Sequence, residues 1–262
     1  MADKILAHLS PDHPWADRIL WLDSTDSTND QLRAIARKGA PHGTVIVAGH
    51  QSAGHGRRGR SFQSPEGMGV YMSVLLRPDC APTELMHLTC AAGVAMCDAV
   101  ENLCGMRPGI KWTNDLVWEK HKLGGILTEL GFTAQGSLDY AIVGVGINCS
   151  QGPDDFPQEI RQIAASLHMV TGSKTDRFQL AAAMIDAFQK MDLTRKTEIL
   201  KQYRQDCITI GQDISLVRGD ETRYGKALDV DEEGALVVVF SDGSVQSVNS
   251  GEVSVRGMYG YI

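Results

Sequence analysis

The sequence holds no C-x-x-C pair, no H-E-x-x-H, no Gly-Lys-Ser/Thr and no G-x-S-x-G. The first two absences argue against the common zinc centres, which need paired cysteines or histidines at short spacing. The third excludes a Walker A phosphate loop, and the fourth excludes the nucleophile elbow of the α/β-hydrolases. Nowhere do about eighteen apolar residues run together, as a membrane-crossing helix requires. Met1-Ala2-Asp3-Lys4-Ile5-Leu6 also lacks the apolar stretch of a signal peptide, so a cytoplasmic protein is expected. Positive charge is in deficit: 25 Lys and Arg stand against 32 Asp and Glu, a formal net charge of −7. Nonspecific nucleic-acid binding needs the opposite balance and is not expected. Six cysteines, at positions 80, 90, 97, 104, 149 and 207, read as small buried hydrophobes.

Against that background one stretch stands out, Gly54-His55-Gly56-Arg57-Arg58-Gly59-Arg60. Glycines let a backbone approach a ligand, and arginines carry planar, always-charged forks that fit carboxylate and phosphate. The apolar, β-branched run Thr44-Val45-Ile46-Val47-Ala48 just before it reads as a strand. Glycines 54, 56 and 59 match G-x-G-x-x-G, but a dinucleotide loop must open directly into a helix. Here Pro65 and Gly67 follow within a few residues, and they block a long helix. A strand therefore delivers a basic, anion-seeking loop of another kind.

Residues 1–17 carry Pro11 and Pro14 and read as an irregular lead-in. A strand is expected at 18–22, then a helix opened by Ser27 and Asp30, spaced as a capping box, and closed near Gly39. Further strands are expected at 70–76, 122–130 and 138–148, with two short ones around 110–118. Long amphipathic periodicity covers 83–104, with more at 176–191 and 195–206, and a short helix is expected within 158–168. A second polar centre, Lys111-Trp112-Thr113-Asn114-Asp115, breaks two apolar strands; a lysine, an amide and a carboxylate at a strand end suit a phosphate or its magnesium. Lys122 stands just before Gly124-Gly125, and Gly144 and Gly146 interrupt the strand ending at Asn148. Strand glycines usually mean that another group comes very near. From Gly211 the pattern changes to five short strands, 213–218, 222–230, 235–241, 244–248 and 252–256, which suggest a small barrel. A length of 262 residues with 43% hydrophobic and 22% charged content suits a soluble globular chain of one large and one small domain, here 1–208 and 209–262.

Taken together, Ser27-Thr28-Asn29, Gln51 through Arg60, Lys111 through Leu116, Lys122 through Leu127 and Val143 through Asn148 resemble the biotin protein ligases in order and spacing. The resemblance spans about residues 18–256. Position 55 is His where the family usually has Arg, and Thr113 stands where it has proline. No helix-turn-helix is read before residue 18, so the likeness is to the members without a DNA-binding domain. It implies an α+β fold: a mixed sheet flanked by helices, as in class II synthetase-like biotin/lipoate ligases, with a small SH3-like C-terminal barrel. It also implies a reaction in which biotin and ATP give biotinyl-5′-adenylate, whose biotinyl group then passes to a lysine of a biotin carboxyl carrier protein.

By matching position, Ser27, Thr28, Asn29, Gln51, Gly54, His55, Gly56 and Gly125 should hold biotin, His55 and Gly56 through backbone groups. Arg57 and Lys122 should act as the catalytic cations on the biotin carboxylate and α-phosphate. Arg60, Lys111, Asn114 and Asn148 should face ATP, with Phe62 stacked on adenine. Magnesium should ride mainly on the ATP phosphates, with no dedicated protein cage. The expected state is a monomer or homodimer. The alternatives are a lipoate/octanoate-type protein ligase of the same fold and a noncatalytic biotin-binding regulator.

Overall fold

The computed structural model describes residues 1–249 and the backbone strand 254–257. Seven strands form the main sheet: β1 (Ile19–Leu22), β2 (Val45–Ala48), β3 (Gly69–Leu76), β4 (Gly109–Lys111), β5 (Asp115–Trp118), β6 (His121–Phe132) and β7 (Leu138–Asn148). They lie in the order β1-β2-β3-β7-β6-β5-β4. Only β1 and β2 run parallel; every other neighbouring pair is antiparallel. A parallel pair needs a crossover connection, and here a helix, Thr28–Ala36, supplies it. A short helix α1 (Ala2–Leu6) precedes it in the chain, so this crossover helix is α2. The lead-in is thus more ordered than its prolines suggest, because Ile5 and Trp15 are buried in the main core.

Both faces of the sheet centre are covered, which is why every residue of β3 is buried. On one face α3 (Leu88–Cys104) and α5 (Arg177–Lys190) pack over Met72, Val74, Val143, Val145 and Ile147. On the other, Leu32 and Ala36 of α2 cover Ile46, Leu75 and Ile142. Side chains alternate along a strand, so the α2 face continues from Leu75 and Ile142 to Ser73 and Gly144, then to Tyr71 and Gly146. On β6 the same row runs Glu129, Leu127, Gly125. Along this face a hydroxyl, Ser73, and three glycines, 125, 144 and 146, therefore stand among the bulkier Tyr71 and Leu127. The bulk missing at these glycines is the origin of the cavity described below.

Two expected helices differ in detail. The stretch 83–104 begins as a 3-10 turn, Pro82–Leu85, and α3 starts only at Leu88. The buried His87 between them donates its Nε2 proton to Leu193 O at 3.1 Å. Within 158–168 most residues form turns, and α4 (Leu167–Thr171) starts late, capped by the Ser166 hydroxyl. Helix α6 (Lys196–Asp206) leads to the C-terminal strands.

Those strands, β8 (Asp213–Arg218), β9 (Glu221–Val230), β10 (Leu236–Phe240), β11 (Val245–Val248) and β12 (Ser254–Gly257), form an antiparallel sheet in the order β11-β10-β9-β8-β12. The expected strand at 252–256 falls partly outside the described residues. Ile214, Leu216, Ala227, Leu236 and Val238 join the same hydrophobic cluster as α3, α5 and α6. Hydrogen bonds stitch the parts together, among them Trp112 Nε1 donating to Gly234 O at 2.9 Å and Arg204 Nε to Val230 O at 2.7 Å. Among the described residues no helix is long and apolar enough to cross a membrane.

Candidate active site

A cavity of about 150 Å³ opens on the α2 face of the sheet. Its floor includes Gly125, Gly144 and Gly146. A Cβ on Gly144 would collide with the Asn29 amide, and one on Gly146 with the Phe62 ring. The strand glycines do mark close approach, and the groups that come close are protein side chains.

One end of the cavity is the N-terminus of α2. Ser27 caps the helix by accepting from Asp30 N. Thr28 donates twice to Gln51 Oε1, from its backbone N at 2.8 Å and from Oγ1 at 3.1 Å. Gln51 Nε2 in turn donates to Ser64 Oγ at 3.0 Å. Asn29 Nδ2 donates to Glu129 Oε2 at 2.7 Å, and its Oδ1 accepts from Ser73 Oγ at 2.6 Å. The Asn29 amide is therefore spent on the fold at both ends. It shapes the wall and orients Thr28 beside it.

The glycine-arginine loop forms the roof. It closes as a tight hairpin, with Phe62 N donating to Gly54 O at 2.8 Å and Gly56 N to Arg60 O at 2.6 Å. Arg57–Gly59 make a single 3-10 turn in which Arg58 takes φ 58°, a left-handed conformation uncommon outside glycine. Arg57 Nη1 donates to Asn114 Oδ1 at 2.9 Å, spanning roof to opposite wall. Burial pushes the Arg57 guanidinium pKa down, and nearby Asp115 pulls it back up. It remains a cation at neutral pH, since arginine starts above about 12.

The far wall is the β4–β5 turn with the start of β6. Asn114 exchanges backbone and side-chain bonds with Ile126: Ile126 N donates to Asn114 O, and Asn114 Nδ2 to Ile126 O, each at 2.9 Å. Tyr203 OH donates to Thr113 O at 3.0 Å, and Trp112 N to Thr209 Oγ1 at 2.9 Å. The Trp112–Thr113 peptide is cis. Lys122 Nζ donates to Asp115 Oδ1 at 2.7 Å. Its backbone is pinned on both sides by the segment before α4, from Lys122 N to Ile163 O at 2.7 Å and from Ala165 N to Lys122 O at 2.9 Å.

The lining thus gathers Ser27, Thr28, Asn29, Gln51, His55, Gly56, Arg57, Arg60, Phe62, Lys111, Asn114, Lys122 and Gly125 from four separate sequence stretches. Two expected residues stay outside. Gly54 is buried at the base of the hairpin, where a Cβ would stand 2.7 Å from Phe62 O. Asn148 donates from Nδ2 to Ala165 O at 3.0 Å and accepts from Gln151 Nε2 at 3.2 Å, so its amide ties the loop after β7 and does not line the cavity. Phe62 lies against Gly146 and meets Tyr71 edge-on, with ring centroids 6.4 Å apart.

Sequence reasoning left Asp115, Ser73 and Glu129 off the list of site residues. Asp115 was visible as a carboxylate beside Asn114. Ser73 and Glu129 gave no local signal, because only strand register places them under α2.

The cations dominate. Arg57, Arg58, Arg60, Lys111 and Lys122 line the cavity, and among the described residues Asp115 is the only carboxylate in the lining. In a chain of net charge −7 this is a concentrated anion site. Among the described residues no group of three or more His, Cys, Asp or Glu could hold a metal ion by itself.

This fold and site define the class. Residues 21–148 match the Biotin/lipoate A/B protein ligase family and residues 209–256 the Biotin protein ligase C terminal domain. The "Bifunctional ligase/repressor BirA" of Bacillus subtilis is 34% identical over 241 residues, covering 90% of this chain and 74% of that protein. The "Biotin--[acetyl-CoA-carboxylase] ligase" of Mycobacterium tuberculosis is 31% identical over 238 residues, covering 87% of this chain and 85% of that protein. A solved structure, the biotin protein ligase from Aquifex aeolicus in complex with biotin and ATP, superposes with a TM-score of 0.77 at 29% identity, over 92% of this chain and 99% of that one. The chain belongs to the biotin protein ligase family.

Proposed function

We propose that this cavity activates biotin with ATP as biotinyl-5′-adenylate and passes the biotinyl group to a lysine of a carrier domain of a biotin-dependent carboxylase. The observation that carries this reading is the polarity of one slot. Neutral hydrogen-bonding groups, Ser27, Thr28 and Gln51, share one lining with five cations and a single carboxylate, and two of the cations, Arg57 and Lys122, are held on the far-wall residues Asn114 and Asp115. A ureido ring suits the neutral groups; a carboxylate meeting a polyphosphate suits the cations.

In the first step a biotin carboxylate oxygen attacks the α-phosphorus, and the bond from that phosphorus to pyrophosphate breaks. Two anions must be brought together, so the wall has to neutralise charge and fix geometry. Arg57 and Lys122 serve the carboxylate and α-phosphate; Arg60, Lys111 and Asn114 serve the outgoing phosphates. Phe62 offers an aromatic face for the adenine. In the second step the carrier lysine nitrogen attacks the acyl carbon, the carbon–oxygen bond to AMP breaks, and the amine loses a proton. Magnesium, which shields phosphate charge, would be held mainly by the ATP phosphates, since Asp115 Oδ1 and Asn114 Oδ1 already accept from Lys122 and Arg57. The six thiols form no disulfide, which supports a reducing compartment such as the cytoplasm.

The test is biotin-dependent exchange of labelled pyrophosphate into ATP. Exchange that requires biotin supports the reading. Exchange that is absent, or equal without biotin, removes it.

A further inference from the structure

A carboxylate outside the cavity lining stands at the head of a chain of hydrogen bonds that ends inside it. Glu129 of β6 uses both oxygens: Oε1 accepts from Arg33 Nη2 and Oε2 from Asn29 Nδ2, each at 2.7 Å. A carboxylate in such pairs only accepts. The Asn29 amide therefore faces it with nitrogen and turns its oxygen to Ser73. Asn29 is wedged against Gly144, where a Cβ would meet its amide, so the rearrangement its space allows is a half-turn exchanging oxygen and nitrogen.

Ser73 Oγ stands 2.6 Å from Asn29 Oδ1 and 2.7 Å from Thr28 Oγ1, with one proton for the two contacts. Asn29 Oδ1 has no proton to give, so it takes that one. The second contact is filled only when Thr28 donates across it to Ser73. The Thr28 hydroxyl thus has two acceptors in reach, Ser73 and Gln51 Oε1 at 3.1 Å, and Gln51 Oε1 already takes the Thr28 backbone N–H. A ligand N–H arriving at Gln51 displaces the hydroxyl proton, and Ser73 receives it.

We propose that Glu129 is a positioning residue that sets the direction of the protons from Asn29 through Ser73 to Thr28, and so presents Thr28 Oγ1 to a ligand as an acceptor of N–H. It acts through three side chains and lies outside the lining. That the ligand is biotin, with its ureido N–H groups, rests on the function proposed above; the proton order does not. Glu129→Gln reverses the order at constant shape. Arg33 offers only donors, so the new amide gives it oxygen and turns nitrogen to Asn29. Asn29 then takes the half-turn, its nitrogen faces Ser73, and Ser73 donates to Thr28. The Thr28 proton is left for Gln51 or for an acceptor on the ligand.

Calorimetry on the whole chain should compare biotin with its two cyclic carbamate analogues, in each of which a ring oxygen replaces one ureido N–H. Wild type should bind the poorer carbamate about tenfold or more weakly than biotin, as facing acceptors require. In Glu129→Gln biotin should weaken about tenfold, and the gap between the two ligands should shrink to within about threefold. Ser73→Ala cuts the chain and should shrink the gap by itself, whether or not Glu129→Gln folds. The double variant should shrink it no further than the stronger single. An unchanged gap in the single variants overturns the proposal, because a merely structural role weakens both ligands by one factor. The order is also readable without ligand, in the proton resonances of the Asn29 side-chain amide. Ser73→Ala should shift them far more in the Glu129→Gln background than in wild type, and equal shifts overturn the proton order. If the resonances behave as expected and wild type binds no biotin, the functional reading fails and the proton order stands.

Discussion

Lys122 Nζ and Asp115 Oδ1 stand 2.7 Å apart across the β5–β6 hairpin, inside the cavity. The hairpin register that places Asp115 opposite Gly125 creates the contact, because glycine leaves room for the lysine end: a Cβ on Gly125 would come within 3.3 Å of Lys122 Nζ. Without substrate the carboxylate of Asp115 thus occupies the place of an anionic partner. A biotin carboxylate or α-phosphate has to take that partnership over.

Lys122→Ala should fold and yet lose most adenylation. Its charge matters most as negative charge grows on the α-phosphate, so kcat should fall more than KM rises. A loss of about 10²–10³ in rate is expected for one preorganised charged contact. Preformed biotinyl-5′-adenylate should restore much of the transfer to carrier. Pyrophosphate release within about threefold of wild type would instead make the Lys122–Asp115 pair a structural contact of modest worth.

Arg57→Gly removes both a cation and the strut from roof to far wall. Biotinyl-5′-adenylate should then escape into solution, detectable as free adenylate by chromatography during turnover. Retention equal to wild type would mean that the roof holds without the Arg57–Asn114 contact.

Lipoate should be a poor substrate. Thr28 and Gln51 are bonded to each other and to Ser64 and Ser73, so the cradle is fixed and cannot turn apolar for a ligand lacking the ureido group. Buried polar groups left unpaired cost roughly 1–3 kcal/mol each. Comparable pyrophosphate exchange with biotin and lipoate would contradict the assignment of this end.

Stability should fall on mild acidification. Burial holds His13, His42 and His87 below the ordinary imidazole value of 6.5. His13 Nδ1 accepts from Trp15 N at 3.2 Å, a bond that its protonation destroys. Below 6.5 the unfolded chain takes up protons that the folded chain resists, so stability is full above that pH and declines beneath it. The urea midpoint should be lower at about pH 5.5 than at about pH 7.5. Equal midpoints would show that these rings charge freely in the fold.

Much of this was legible in the residues. β-branched runs gave the strands, Ser27 with Asp30 gave the start of α2, and the arginine-glycine cluster gave the roof. What was hidden depends on pairing between distant strands. Ser73, Gly144 and Glu129 meet Asn29 only because β3, β7 and β6 are neighbours in register. Asn148, bonded to Ala165 and Gln151 outside the lining, is ambiguous for a related reason. An amide at the end of a glycine-broken strand looks the same whether it serves a ligand or the next loop. The bond from Trp112 to Gly234 joins residues 122 positions apart, beyond the reach of any local pattern.

The central claim is transfer of biotin to a carrier lysine, and intact mass spectrometry tests it most directly. A biotin carrier domain incubated with this protein, biotin and magnesium-ATP should gain the mass of one biotinyl group, and Lys122→Ala should fail to add it at the same rate. A carrier of unchanged mass, under conditions where the wild-type protein is folded and supplied with all three substrates, would contradict the account.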